Sequence, residues 1–243
     1  MTRVRTMPLQ INCDLGEGLD AIDAAVMPHI DLANIACGGH AGDKASMQRT
    51  VALAAAQGVG IGAHPSYPDR ENFGRKRMNI APEKLRDTLI AQVEKLITIA
   101  EQHRTRVGYI KPHGALYNNC TDPTVLAPVI EVARYFALPL MLMAGQPRIS
   151  DACRSAKVAL LREAFADRRY DERGLLVARN QSHALLNTRE SLLQTRQLNS
   201  QGTITLSDGA TMPLACDTLC VHSDTGDAVA MIKQLSRYLS DAH

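Results

Sequence analysis

Hydrophobic and polar positions along the chain follow one repeating rhythm. A short apolar run stops at a polar or glycine-containing cluster, and a segment with helical spacing comes next. LQINCDLGE opens the series; DLANIACGGHAGD, GVGIGAHPSY, RVGYIKPHGALY, LPLMLMAG, VALLREAFADRRY and TLCVHSDTG continue it. Short apolar runs bounded by turn residues read as strands whose last residues emerge into loops. The helices between them carry their own punctuation. Asp43 is an N-cap ahead of Met47, Val51 and Ala54, and Pro82 suits a first turn ahead of Leu85, Leu89, Val93, Leu96 and Ala100. Asp122 followed by Pro123 starts another helix, Asn187 with Glu190 has capping-box spacing, and Ala228, Ile232, Leu235 and Leu239 share one face of the closing segment.

Alternation of this kind builds either an open doubly wound sheet or a closed (β/α) barrel. An open sheet gathers its ligand groups at one switch point. Here nearly every strand run ends in a polar group, as a ring of C-terminal strand ends requires. The pattern therefore predicts a single (β/α) barrel domain over 1–243. Residues 179–217 fit the rhythm least; within them ITLSDGATMPL reads as a β-hairpin about Asp208 and Gly209, a small insertion near 200–215.

Composition narrows the partners. A chain of 243 residues can bury a sizeable core, and a net charge of +2 with dispersed lysines and arginines makes nucleic acid a poor partner. The first residues carry arginines without the apolar stretch of a secretory signal. FALPLMLMA at 136–144 is far shorter than the roughly 20 residues that span a bilayer, so a soluble cytoplasmic protein without a membrane segment is expected. Six cysteines include no CxxC pair, which speaks against a zinc knuckle, a redox motif or a disulfide framework.

The polar clusters carry the candidate chemistry. NCDLGE places Asn12, Asp14 and Glu17 around a turn-forming Gly16; two such carboxylates divide acid and base roles, hold a metal, or simply cap a helix. IACGGHAGD adds His40 and Asp43 on a backbone loosened by Gly38, Gly39 and Gly42, with His40 aimed inward as the reacting group and Asp43 opening the next helix. GIGAHPSYPDRENFGR supplies His64 at a strand end, held extended by the following proline, with Tyr67, Asp69, Arg70 and Arg75 in the loop beyond. YIKPHGALY sets Lys111 and His113 two residues apart, on one face of an extended chain, and ends in Tyr117. Mutual repulsion and burial are expected to lower both pKa values toward the range of a general base or oxyanion stabiliser. Glu163, Asp167 and Arg168 in EAFADRRY, which equally suit an ion-pair network, and His222 with Asp224 in VHSDTG complete the circle. No glycine precedes a lysine as in a Walker loop, and HExxH, GxSxG and a full dinucleotide fingerprint are all missing.

Taken together, NCDLGEG, ANIACGGHAGD, GIGAHPSYPDRENFGR, YIKPHGALYN, REAFADRRY and VHSDTGDA resemble, in order, the motifs of the LamB/YcsF family, which includes the A subunit of bacterial ATP-dependent 5-oxoprolinase. The resemblance implies a distorted seven-stranded (β/α) barrel of the glycoside hydrolase/deacetylase type. It implies opening of the lactam of 5-oxo-L-proline to L-glutamate coupled to ATP hydrolysis, with Mg²⁺ accompanying ATP and separate B and C subunits as partners; a homo-oligomer stays open as well. On that chemistry, Asp14 or Glu17 with His64 activates water, Lys111 and His113 stabilise oxyanion or phosphate charge, and His40 positions or protonates the ring nitrogen. Arg75 or Arg168 meets the substrate carboxylate, and Asn12, Asp43, Tyr117, Asp167, His222 and Asp224 complete the binding set.

Three positions depart from the family's pattern. Gly39 stands where an aromatic is usual, which is expected to remove a packing support for His40. Ser223 replaces a glycine, and Asn180 a serine. Two other readings compete: a metal-dependent deacetylase or glycan hydrolase with Asp14, His40 and His64 around an ion, and a noncatalytic lactam-binding subunit. Whether the chain binds a metal stays open at the level of sequence.

Overall fold

In the first strand, β1 (Gln10–Leu15), Ile11, Cys13 and Leu15 alternate with Asn12 and Asp14. The apolar set joins the main core together with the inner faces of the helices, and the polar set points into a barrel. The structure, a computed structural model, describes residues 9–224 and 226–241. The expectation about the first residues concerns positions outside this range. Six further parallel strands close the barrel with β1: β2 (Leu32–Ala36), β3 (Gly60–His64), β4 (Val107–Ile110), β5 (Leu140–Met143), β6 (Leu160–Phe165) and β9 (Thr218–Cys220), the last pairing with both β6 and β1. This is the seven-stranded barrel that the resemblance implied.

Between β6 and β9 the chain forms a separate antiparallel hairpin, β7 (Thr203–Thr205) with β8 (Thr211–Pro213). The helices are α1 (Asp20–Val26), α2 (Lys44–Gln57), α3 (Pro82–Gln102), α4 (Gly114–Asn119), α5 (Pro123–Tyr135), α6 (Pro147–Ser155), α7 (Thr188–Gln201) and α8 (Ala228–Asp241). The capping box of Asn187 with Glu190 forms on α7, and Asp43 caps α2 within a second box made with Ser46. Short α1 starts after Leu19 without a side-chain cap. Asp14 and Glu17 thus precede a helix without capping it. Among the described residues no helix is long and apolar enough to cross a membrane, and the six cysteines are buried and form no disulfide.

The barrel interior is polar rather than filled by branched aliphatics. Asn34 Nδ2 donates to Asn12 Oδ1 at 2.8 Å, Asn12 Nδ2 to Thr218 Oγ1 at 2.9 Å, and Tyr109 Oη to Asn34 Oδ1 at 2.7 Å. Tyr109 can cross the interior because residue 62 is glycine: a Cβ there would lie 2.1 Å from the tyrosine ring. This layer is the base on which the charged groups of the C-terminal strand ends rest.

Candidate functional site

Lys111, immediately after β4, extends its side chain into the barrel above the Asn12–Asn34 layer. Its Nζ lies 2.9 Å from Asp14 Oδ1, 2.8 Å from Glu163 Oε1, 3.2 Å from Asn12 Oδ1 and 3.3 Å from Cys220 Sγ. Burial by itself would lower its pKa, but Asp14 and Glu163 overcome burial and raise the ammonium well above the usual lysine range. The expectation that Lys111 and His113 depress one another is therefore corrected for the lysine: its neighbours are carboxylates brought in by β1 and β6. Burial likewise opposes the ionised form of Asp14, yet His64 and Lys111 hold its carboxyl well below the usual range. Asp14 and Lys111 form a fixed, largely buried ion pair.

Beside this pair three imidazoles converge from the ends of β2, β3 and β4. His40 and His113 stack flat, with ring centroids 3.6 Å apart and planes within 1° of parallel, and His64 meets both edge-on. His64 Nε2 lies 3.3 Å from Asp14 Oδ2 and 2.9 Å from His113 Nδ1. Glu17 Oε1 reaches His40 Nε2 at 2.7 Å and His113 Nδ1 at 3.4 Å. Burial pushes His40 down to about 2 and His113 down to about 3, with neighbouring imidazoles adding to the effect. Burial, reinforced by the Asp14 charge, raises Glu17.

The loop after β3 supports this cluster. Phe73 takes the left-handed conformation at φ 54°, unusual for a bulky residue, and places its ring edge-on to His40 and His113 while its carbonyl accepts His113 Nε2 at 3.0 Å. Gly74 follows at φ 63°, where a Cβ would come within 2.9 Å of His40 Cβ.

Asp14, Glu17, His64, Lys111, His113 and Tyr117 line a cavity of about 490 Å³, with Arg75, Arg168, Arg179, His222, Ser223 and Asp224 around them. At the mouth Asp224 pairs with Arg179 and, at 3.4 Å, with Arg75. Arg168 donates to Val177 O at 2.7 Å, while its Nε has no partner among the described residues.

A model of the LamB/YcsF family matches residues 9–243. The chain belongs to the LamB/YcsF family. A protein of Vibrio cholerae serotype O1, named as the A subunit of 5-oxoprolinase, is 42% identical over 241 residues, covering 96% of this chain and 98% of that one. The crystal structure of a lactam utilization protein from Thermus thermophilus superposes with a TM-score of 0.88 at 28% identity, covering 97% of each chain. A family 4 carbohydrate esterase from Streptomyces lividans, at TM-score 0.52, 10% identity and coverage of 98% of this chain and 90% of its own, shares the fold. The barrel is thus of the type seen in that esterase.

Several residues singled out in this LamB/YcsF chain lie elsewhere than expected. His40 does not line the cavity: it stands behind His113, with its Nε2 against Glu17, and burial keeps it neutral, which corrects the role of proton donor to a ring nitrogen. Asp43 is exposed and spent on its helix cap. Asn12 is fully buried in the layer below. Asp167 holds His222 Nδ1 at 2.8 Å and borders a separate groove of about 340 Å³. The space beside Gly39, where the family usually carries an aromatic, is filled by Gln92 and Ser66: a Cβ would lie 2.4 Å from Gln92 Oε1. Gln92 in turn bonds both the N and O of Ser66, and His40 takes its support from His113 and Phe73 instead. Ser223 Oγ donates to Asp14 O at 3.2 Å, tying the last loop to β1. Asn34, Tyr109, Phe73, Cys220 and Arg179 escaped the sequence reading. Asn34 had a signal, a lone amide inside the apolar run LANIA, matching Asn12 in LQINC.

Proposed function

We propose that this chain opens the lactam of 5-oxo-L-proline to L-glutamate as the A subunit of an ATP-hydrolysing 5-oxoprolinase, with separate B and C subunits. The observation that carries this reading is the near full-length likeness to the Vibrio cholerae protein of that name. The cavity supplies a consistent chemistry. Water adds to the lactam carbonyl carbon, the C–N bond breaks, and its electron pair stays on the ring nitrogen, which takes a proton and becomes the α-amine of glutamate. An unactivated amide resists this attack, so the coupled ATP hydrolysis serves to activate the carbonyl oxygen. ATP with its Mg²⁺ is assigned to the partner subunits, since this chain has no glycine-lysine phosphate loop.

Within the cavity, the Lys111 ammonium is a preorganised cation for charge developing on the carbonyl or phosphoryl oxygen. Asp14 Oδ1 is committed to Lys111 and Asn34, whereas Oδ2 faces His64 and is the acceptor for the proton of the attacking water. Of the two arginines considered for the substrate carboxylate, Arg168 is the better built: it is buried against the cavity with a donor to spare, while Arg75 is half exposed and engaged by Asp224.

Glutamate release from 5-oxo-L-proline with ATP and Mg²⁺ tests the reading, using the chain alone, the B and C subunits alone, and the mixture. Glutamate is expected only from the mixture. A mixture of folded subunits that yields none would overturn the assignment.

A further inference from the structure

Four consecutive strand ends, those of β1 to β4, deliver Glu17, His40, His64 and His113 to one point. One donor atom from each lies within 4.8 Å of all the others. The individual separations are 2.7 Å between Glu17 Oε1 and His40 Nε2, 3.4 Å to His113 Nδ1, 3.9 Å to His64 Nε2, and 2.9 Å between the last two nitrogens. Donors about 2.1 Å from a shared tetrahedral ion stand roughly 3.4 Å apart, within the spread seen here.

The hydrogen bonds on the far side of two rings decide what the near side presents. His64 Nδ1 lies 2.7 Å from Lys111 O, and His113 Nε2 lies 3.0 Å from Phe73 O. A carbonyl only accepts, so both of these nitrogens carry hydrogen. In the neutral rings, His64 Nε2 and His113 Nδ1 then face one another with lone pairs, beside the oxygen of Glu17. Such a convergence of acceptors in a buried site calls for a metal ion or a shared proton between them, and imidazoles anchored outward on backbone carbonyls are the usual support of metal ligands. Charge points the same way. Asp14 and Glu163 both pair with the Lys111 ammonium, while the carboxyl group of Glu17 faces the three imidazoles.

We infer that Glu17, His40, His64 and His113 form a binding site for one divalent transition-metal ion of zinc's class. Three imidazoles and one carboxylate suit Zn²⁺, Fe²⁺ or Co²⁺ and do not suit Mg²⁺ or Ca²⁺, which take oxygen ligands. A search for paired histidines within one helix or loop misses the site because each ligand comes from a different strand end. His64 and His113 are the anchored ligands; His40, whose Nδ1 has no partner among the described residues, is the adaptable one. The site stands independently of the lactam reading, because occupancy is measured without turnover.

The full-length chain, purified without chelator, is assayed for metal by mass spectrometry. The stripped protein is then titrated with Zn²⁺ and with Co²⁺, whose visible absorption reports four-coordinate nitrogen and oxygen ligation. One ion per chain is expected, with affinity reduced about 100-fold or more in His64→Ala and His113→Ala and less in His40→Ala. Circular dichroism checks folding, and His113→Gln and Glu17→Gln serve where an alanine variant does not fold. Absence of retained metal together with no Zn²⁺ or Co²⁺ binding by the folded wild type would overturn the site and leave a proton shared by His64 and His113 as the occupant. Equal affinity in folded wild type and variants would overturn it as well.

Discussion

Lys111 has its charge held in place by residues that sequence reading could not assign to it. Asp14 and Glu163 arrive from other strands and turn what looks like a lysine primed to lose its proton into a fixed cation. Replacing it with methionine removes that cation and strands two buried carboxylates. Lys111→Met is expected to destabilise the fold by about 3–5 kcal/mol, measured by urea unfolding, with part of the loss recovered when Glu163→Gln is added. In the reconstituted complex the same change is expected to lower kcat by about 10²–10³-fold. If Lys111→Met alone unfolds at the wild-type urea concentration, the buried ion pair is not what organises the interior. His113 shows the complementary outcome: its depressed pKa was anticipated, because burial acts on any imidazole wherever its partners come from.

At the level of elements, the boundaries written in caps and periodicity were readable, since they depend on residues within a turn or two of one another. The cap at Asp43, the capping box at Asn187 and the proline starts of α3 and α5 follow from such local patterns. Short α1 and α4 were not readable, because helices of seven and six residues are stabilised by tertiary packing more than by any stripe of their own. Asp43 separates an element role from a site role. Asp43→Ala is expected to lower the thermal midpoint by about 2–4 °C while leaving the KM for 5-oxo-L-proline in the complex unchanged. A raised KM with an unmoved midpoint would return Asp43 to the substrate. Asn187→Ala, which removes the cap of α7, is expected to cost about 1 kcal/mol in chemical unfolding.

For the whole molecule, Asp23 couples the β1–α1 connection to pH. Its carboxylate accepts the Gly16 N–H at 2.8 Å, yet burial, against the help of that bond, raises its pKa to about 6. A carboxyl raised in the folded state binds more protons there than in the unfolded chain across this interval. Its stabilising contribution is full below about pH 4 and is lost as pH rises through about 6. The stability of the wild type relative to Asp23→Asn should therefore decline between these values and level off above them, measured by denaturant unfolding at a series of pH values. A flat difference would show that Asp23 is not protonated in the fold near pH 5.

The order of strands and helices, the barrel class, and the in-line placement of Asn12, Asp14, His64 and Lys111 at strand ends were determined by the sequence itself. Alternation, capping and turn chemistry act over a few residues, and a motif series spread along the chain marks the family. Tertiary structure alone decided which of these groups meet. It put His40 behind His113 rather than over a substrate, turned Asp43 to solvent, filled the space at Gly39 with Gln92, and set three imidazoles against Glu17. Proton affinity and ligand geometry depend on desolvation and on charges a few ångströms away, and those neighbours come from strands far apart in the chain that only barrel closure brings together.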